Sequence, residues 1–267
     1  VAATAHFLTP SLTQLTLLAK EQEIGSGTGF FVKHGTQWFI VSNWHVFSGR
    51  NPRTGQPRHS SCAIPDECIA VKREMRDHRL VVIKHKLKLL DENENPLWLD
   101  HPEHGQNVDI AALKVNQNTV GIARNILSVD GHQEDMFVDL GGDLFIPGYP
   151  QGYSEQGSFP IWKKATLATS PEFDPLPINP LIVDTASREG MSGSPCLAIC
   201  NDSYYRKVDG GPKMELIHKP ICWKLLGVYS GRLTAKDALD TQLGRVWRTA
   251  LIIDIISGCQ CARPKLI

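Results

Sequence analysis

The sequence carries no surplus charge: 28 lysines and arginines balance 28 aspartates and glutamates, with histidine neutral. A chain so balanced offers no net field to gather nucleic acid or an anionic membrane surface, and neither is expected as a partner. It also lacks any apolar stretch approaching the ~20 residues of a membrane span. No signal peptide is visible at its start. A cytoplasmic location is therefore expected, although Val1 is not an initiator methionine and a removed leader stays compatible with the sequence.

Nor do the cysteines form a framework. Seven is an odd number, and the pairs Cys62/Cys68, Cys196/Cys200 and Cys259/Cys261 lack the spacing of a secreted disulfide scaffold. Cys196 and Cys222 sit in apolar runs and read as buried thiols. Metal-ligand patterns are equally thin. Pro102 stands between His101 and His104, and proline disfavours the helix on which zinc peptidases present a histidine pair. Neither a metal nor a cofactor is expected.

What the chain does contain is a succession of short β-branched and aromatic segments, separated by turn-rich stretches such as Asn51-Pro52-Arg53-Thr54-Gly55. In the first half they are 12–19, 29–32, 37–42, 68–72, 80–90 and 108–115; in the second, 137–138, 143–146, 161–169, 181–184, 195–199 and 224–229. Strands this short and this frequent argue for an all-β sandwich or barrel. Leu80 to Leu87 reads as an extended hairpin strand, with Asp91 to Pro96 as its turn. One helix is expected between Leu243 and Ile256, where Leu243, Val246, Trp247, Ala250 and Leu251 fall at helical spacing.

Three places carry chemistry. The first is Gly190-Met191-Ser192-Gly193-Ser194-Pro195. Gly190 lets the chain turn sharply enough for the N–H groups of Gly190 and Ser192 to converge on one point, beside an exposed hydroxyl. The second is His45, which follows the strand Gln37 to Ser42 at its end, where a rigid scaffold can hold an imidazole toward a cleft. The third is Asp109, a carboxylate at the edge of the apolar run Ile110-Ala111-Ala112-Leu113. Burial there is costly unless something hydrogen-bonds it, and an imidazole N–H would do so. A serine, a histidine and a carboxylate together suit nucleophilic attack on an acyl carbon.

With these flanks and in this order, the sequence resembles the chymotrypsin-like (trypsin-like) serine peptidases, most closely their bacterial, HtrA-like branch. Gly25 to Val32 resembles that family's glycine-rich first hairpin, Asp109-Ile110-Ala111-Ala112-Leu113 its Asp-Ile-Ala-Leu segment, and Pro147 to Gly152 the turn that opens its second barrel. Leu226 to Gly231 resembles the strand and loop that line the cleft after the serine. The resemblance covers roughly residues 20 to 257.

It implies an all-β fold of two six-stranded antiparallel barrels with a C-terminal helix. Residues 1–125 would form the barrel carrying His45 and Asp109, and residues 126–267 the barrel carrying Ser192 and the closing helix. It implies a serine endopeptidase acting on protein or peptide through His45, Asp109 and Ser192, with the N–H groups of Gly190 and Ser192 as oxyanion hole. About six residues before the serine, Ala186 would be the base of the specificity pocket, with Tyr229 as a wall and Ser230 on the cleft. With no carboxylate at that base, a small or apolar residue before the scissile bond is expected, while Arg188 or Arg232 could instead recruit an acidic one.

Two departures from the family pattern stand out. His45 and Asp109 lie 64 residues apart, and the excess between Phe47 and Gly105 reads as surface loops. Met191 and Ser194 replace the residues common beside the nucleophile, without removing an atom the chemistry needs. Only about ten residues follow the expected helix, so the C-terminal PDZ module of many HtrA relatives is not expected. A second reading keeps the same cleft in a latent or inactive domain, binding peptides or awaiting a regulatory partner.

Overall fold

The structure is a computed structural model and describes residues 7–123, 135–155, 158–172, 176, 178–208, 211–233 and 242–258. Its first half contains β1 (Leu12–Ala19), β2 (Gln22–His34), β3 (Gln37–Ser42), the one-turn helix α1 (Trp44–Ser48), β4 (Glu67–Arg76), β5 (Arg79–Lys88), β6 (Trp98–Leu99), β7 (Ala111–Val115) and the short helix α2 (Gln117–Val120). The strands form one seven-stranded antiparallel sheet in the order β5-β4-β1-β2-β3-β7-β6.

The second half contains β8 (Asp143–Gly148), β9 (Ile161–Leu167), β10 (Leu181–Asp184), β11 (Pro195–Cys200), β12 (Ser203–Lys207), β13 (Met214–His218), β14 (Cys222–Arg232), β15 (Leu243–Arg248) and the closing helix α3 (Thr249–Gly258). Six of these strands close a barrel, β10-β15-β14-β11-β8-β9, and β12 with β13 make a separate hairpin. The chain is mostly β, with a six-stranded barrel and a C-terminal helix. Its N-terminal half spreads its strands over a seven-membered sheet rather than six, because Trp98–Leu99 adds a short edge strand to β7.

Three apolar clusters hold this together. One fills the N-terminal sheet around Phe31, Ile40, Trp44 and Trp98, and another fills the barrel around Leu144, Val183, Cys196 and Val246. The third joins the halves: Phe30, Phe39 and Val41 meet Leu197, Leu225 and Val228, and Leu251, Ile252, Ile255 and Ile256 of α3 pack into the same cluster. One face of α3 is thus buried between the two units, which is why its apolar residues recur at helical spacing. Arg73 of β4 is buried across the same junction and donates to the Leu12 carbonyl at 2.6 Å, to the Tyr149 hydroxyl at 2.7 Å and to the Ser158 carbonyl. Its guanidinium also lies over the Phe159 ring, 4.9 Å from the centroid.

Three expectations from the sequence need correction. The helix begins at Thr249, and Leu243–Arg248 is a strand paired with both β10 and β14. Its inward positions are Gly244 and Val246, and glycine supplies no apolar signal at the position where the Tyr229 ring fills the space. The alternation that marks a strand was therefore invisible. The long hairpin turns at Asp77-His78, where both residues have positive φ (48° and 60°) and Arg76 pairs with Arg79, as a tight two-residue turn requires. Asp91 instead closes a later loop, accepting from the backbone N–H groups of Asn93 and Asn95 at 2.8 Å each. Finally, Phe137 and Val138 form no strand; the Phe137 N–H makes a single bond to the Tyr205 carbonyl of β12.

Among the described residues, no helix is long and apolar enough to cross a membrane.

Candidate active site

β3 delivers His45 to the cleft. After Ser42 the chain makes the single turn α1, which Gly49 ends in the left-handed region at φ 65°, its N–H bonded to the His45 carbonyl. Asn43, at the start of that turn, donates its side-chain amide to the Asp109 carbonyl at 2.7 Å and so ties the histidine turn to the segment before β7. The Asp109 carboxylate then grips His45 twice. Oδ2 lies 2.7 Å from the ring Nδ1, and Oδ1 accepts the His45 backbone N–H at 2.9 Å. Both residues are buried. A carboxylate can only accept, so Nδ1 carries the proton and Nε2 is left as the acceptor.

Ser192 stands on a turn that the N-terminal half braces. Thr28 of β2 donates its N–H to the Ser192 carbonyl and its hydroxyl to the Gly190 carbonyl, each at 2.8 Å. Gly190 and Gly193 both take left-handed φ, 86° and 88°. At Gly193 a Cβ would lie 2.0 Å from the Thr28 carbonyl oxygen, so only glycine fits. On the other side, Gly193 N–H reaches the Tyr229 carbonyl and Tyr229 N–H the Ser194 carbonyl. With its neighbours so engaged, the turn leaves two donors over: among the described residues, the N–H groups of Gly190 and Ser192 bond to no protein acceptor.

Ser192, His45 and Gly190 line one cleft of about 700 Å³, together with Ser187, Ser230 and Arg232. His45 Nε2 and Ser192 Oγ are not hydrogen-bonded to each other. The other expected cleft residues divide. Ser230 lines the cleft, whereas Ala186 is exposed and outside its lining; Ser187, one residue on, takes that place. Tyr229 is fully buried behind it, its hydroxyl against Ser187 Oγ, with burial pushing the phenol's pKa up. It fills space rather than lining it.

Thr28 was not legible as a site residue, since a threonine between glycines on a strand has no motif of its own. Among the described residues, no group of three or more His, Cys, Asp or Glu side chains could hold a metal. The His101 and His104 rings lie against each other tilted by 31°, 4.8 Å between centroids, and the Cys259/Cys261 pair lies outside the described residues.

Comparison with known proteins gives the family and the fold. Residues 27–202 match the family model of the trypsin-like peptidase domain, and the match includes the histidine, aspartate and serine segments. The chain belongs to the trypsin-like serine peptidases. Among solved structures, it resembles the active form of a protease from M. tuberculosis, with 15% identity, a TM-score of 0.51, and coverage of 98% of this chain and 86% of that one. It also resembles a serine endoprotease from Yersinia pestis, with 13% identity and a TM-score of 0.52, covering 96% of this chain but only 65% of the other. At such identities the likeness is one of fold. No curated protein sequence matches.

Proposed function

We propose that the chain hydrolyses peptide bonds within proteins or peptides through a triad of His45, Asp109 and Ser192. The observation that carries this is the two-point grip of Asp109 on His45, which fixes the ring with Nε2 as acceptor in the cleft that Ser192 lines. In the reaction, Ser192 Oγ attacks the scissile carbonyl while His45 Nε2 takes its proton. The oxyanion is received by the N–H groups of Gly190 and Ser192, which have no other protein partner among the described residues. His45 then returns the proton to the leaving amine, and water attacks the resulting acyl-enzyme by the same path in reverse. Asp109 keeps the imidazole in its tautomer and stabilises its charged form.

The missing hydrogen bond between His45 and Ser192 does not oppose this, because such bonds are often long at rest and tighten once substrate is bound. A silent peptide-binding domain would have no need of two spare N–H donors beside a serine. The test is covalent labelling by a fluorophosphonate probe. Labelling of the wild type, and its loss in Ser192→Ala and in His45→Ala, is expected; a wild type that stays unlabelled under every condition, with partners or processing included, overturns the proposal.

A further inference from the structure

A second cavity, of about 600 Å³, adjoins the first and shares His45, Arg58, Ser230 and Arg232 with it. Among the described residues its charge is one-sided. Arg53, Arg58, Arg232 and Arg245 all line it, and the one carboxylate among its described lining residues, Asp109, is already engaged twice by His45. The whole chain is charge-balanced, so this concentration of four guanidinium groups is local.

Three of the four are left without a bonded partner among the described residues. Among the described residues, the side chains of Arg53, Arg58 and Arg245 make no ion pair and no hydrogen bond. Two exposed arginines elsewhere are matched by carboxylates: Arg76 lies against Glu74 at 2.7 Å, and Arg206 against Glu215 at 2.8 Å. Arg245 is half-buried, and burial first, then the nearby charge of Arg53, push its pKa down, with the Asp109 carboxylate offsetting only part of that.

Nor is the arrangement loose. Arg53 and Arg58 stand on the loop that follows α1, which folds on itself through Asn51 N–H to the Gln56 carbonyl and Gly55 N–H to the Asn51 carbonyl, each at 2.8 Å. Arg58 N–H bonds back to the Gly49 carbonyl at 2.8 Å, and Gln106 reaches the Pro52 carbonyl at 3.1 Å. Arg232 and Arg245 stand on β14 and β15 of the barrel. Two halves of the molecule thus present guanidinium groups, on a backbone held by these bonds and by the barrel, to one space beside His45. Holding like charges together costs free energy that an anion in that space would recover, and the forked donors of arginine suit a carboxylate or a phosphate.

We propose that this cavity is a substrate subsite for an anionic side chain a few residues from the scissile bond, and that Arg53, Arg58, Arg232 and Arg245 set a preference for acidic substrates. It rests on the peptidase reading above. The anion can be an aspartate or glutamate carboxylate or the phosphate of a phosphorylated residue, and the test carries both.

Wild-type protein is given a library of otherwise neutral peptides bearing Asp, Glu, phosphoserine, Ala or Lys at each position around a common core, and cleavage sites and kcat/KM are read by mass spectrometry. Acidic or phosphorylated members should be cleaved at least about tenfold faster than neutral ones, as a charge-assisted hydrogen bond would give. The ratio of Glu to phosphoserine turnover identifies the preferred anion. In Arg53→Gln/Arg245→Gln the preference should shrink toward one, and Arg245→Lys should restore part of it when introduced alone beside Arg53→Gln. Cleavage indifferent to charge, or a preference that survives the double substitution, overturns the inference while leaving the peptidase reading intact. If nothing is cleaved, fluorophosphonate labelling decides the peptidase reading. Binding of the same peptides to Ser192→Ala by fluorescence polarisation then decides the subsite alone: tighter binding of acidic peptides upholds it, and equal binding overturns it.

Discussion

The Asp109 carboxylate holds His45 at both the ring and the backbone, through Nδ1 at 2.7 Å and the N–H at 2.9 Å. Asp109→Asn keeps the shape but turns one acceptor into a donor. Either the ring or the backbone loses its partner, and the imidazole is free to take the wrong tautomer. We expect kcat to fall about 10⁴-fold with KM changed little, measured on a peptide that the wild type cleaves. A fall of only a few fold would mean that His45 is oriented by something else.

The turn at Ser192 depends on glycine at 193. A Cβ there would lie 2.0 Å from the Thr28 carbonyl oxygen and 2.2 Å from Ser42 Oγ, on a backbone at φ 88°. Gly193→Ala should therefore lose fluorophosphonate labelling altogether and melt several degrees lower, the scale of a strained backbone position costing about 1–3 kcal/mol. Unchanged labelling would show that the turn has another conformation that supports the chemistry.

Arg73 is nearly fully buried and donates to oxygens from both halves of the chain. Arg73→Met keeps much of the volume but removes the guanidinium from the Leu12 and Ser158 carbonyls and the Tyr149 hydroxyl, leaving that hydroxyl, 3.0 Å from the Ser158 carbonyl and 3.4 Å from that of Leu12, as the one donor for both. Chemical denaturation should show a loss of about 3 kcal/mol, the scale of charge-assisted bonds removed from a buried network. An unchanged midpoint would mean that the site repacks without cost.

The thiols should separate cleanly by reactivity. Burial, with a smaller contribution from Glu67, pushes the Cys68 thiol up to about 12, and burial raises that of Cys196 as well, whereas Cys62 is exposed. Native protein treated with a maleimide near pH ~7.5 should be modified at Cys62 and spared at Cys68 and Cys196 until denaturant is added, as peptide mapping would show. Rapid native labelling of Cys68 would contradict its burial.

How much of this was legible depends on whether the signal is local. His45, Asp109, Gly190 and Ser192 each announce themselves through immediate neighbours: a strand end, an apolar run, a glycine-flanked serine. The strand Leu243–Arg248 did not, because its pairing with β10 and β14 outweighs a chance helical spacing and because Gly244 hides one of its two inward positions. The spacing to the serine points to Ala186 as the pocket base, but a count along the chain does not say which side chain faces in: Ala186 is exposed and Ser187 turns inward. The arginine subsite is the extreme case. Arg53 and Arg58 come from a loop in the first half, and Arg232 and Arg245 from two strands in the second. Arg232 could be read as a contact for acidic residues, but no window contains all four, and only folding makes them neighbours.

Thr28 gives the nucleophile turn its shape from the opposite half of the chain: its N–H to the Ser192 carbonyl, its hydroxyl to the Gly190 carbonyl, and its own carbonyl accepting from Ser42 Oγ at 2.7 Å. The barrel that owns Ser192 therefore does not own the conformation of its turn. If Ser192 is the nucleophile as proposed, a separately produced C-terminal half would carry it without its brace, and mixing it with the N-terminal half would restore turnover only as the two dock. In this molecule activity is a report on the union of its halves.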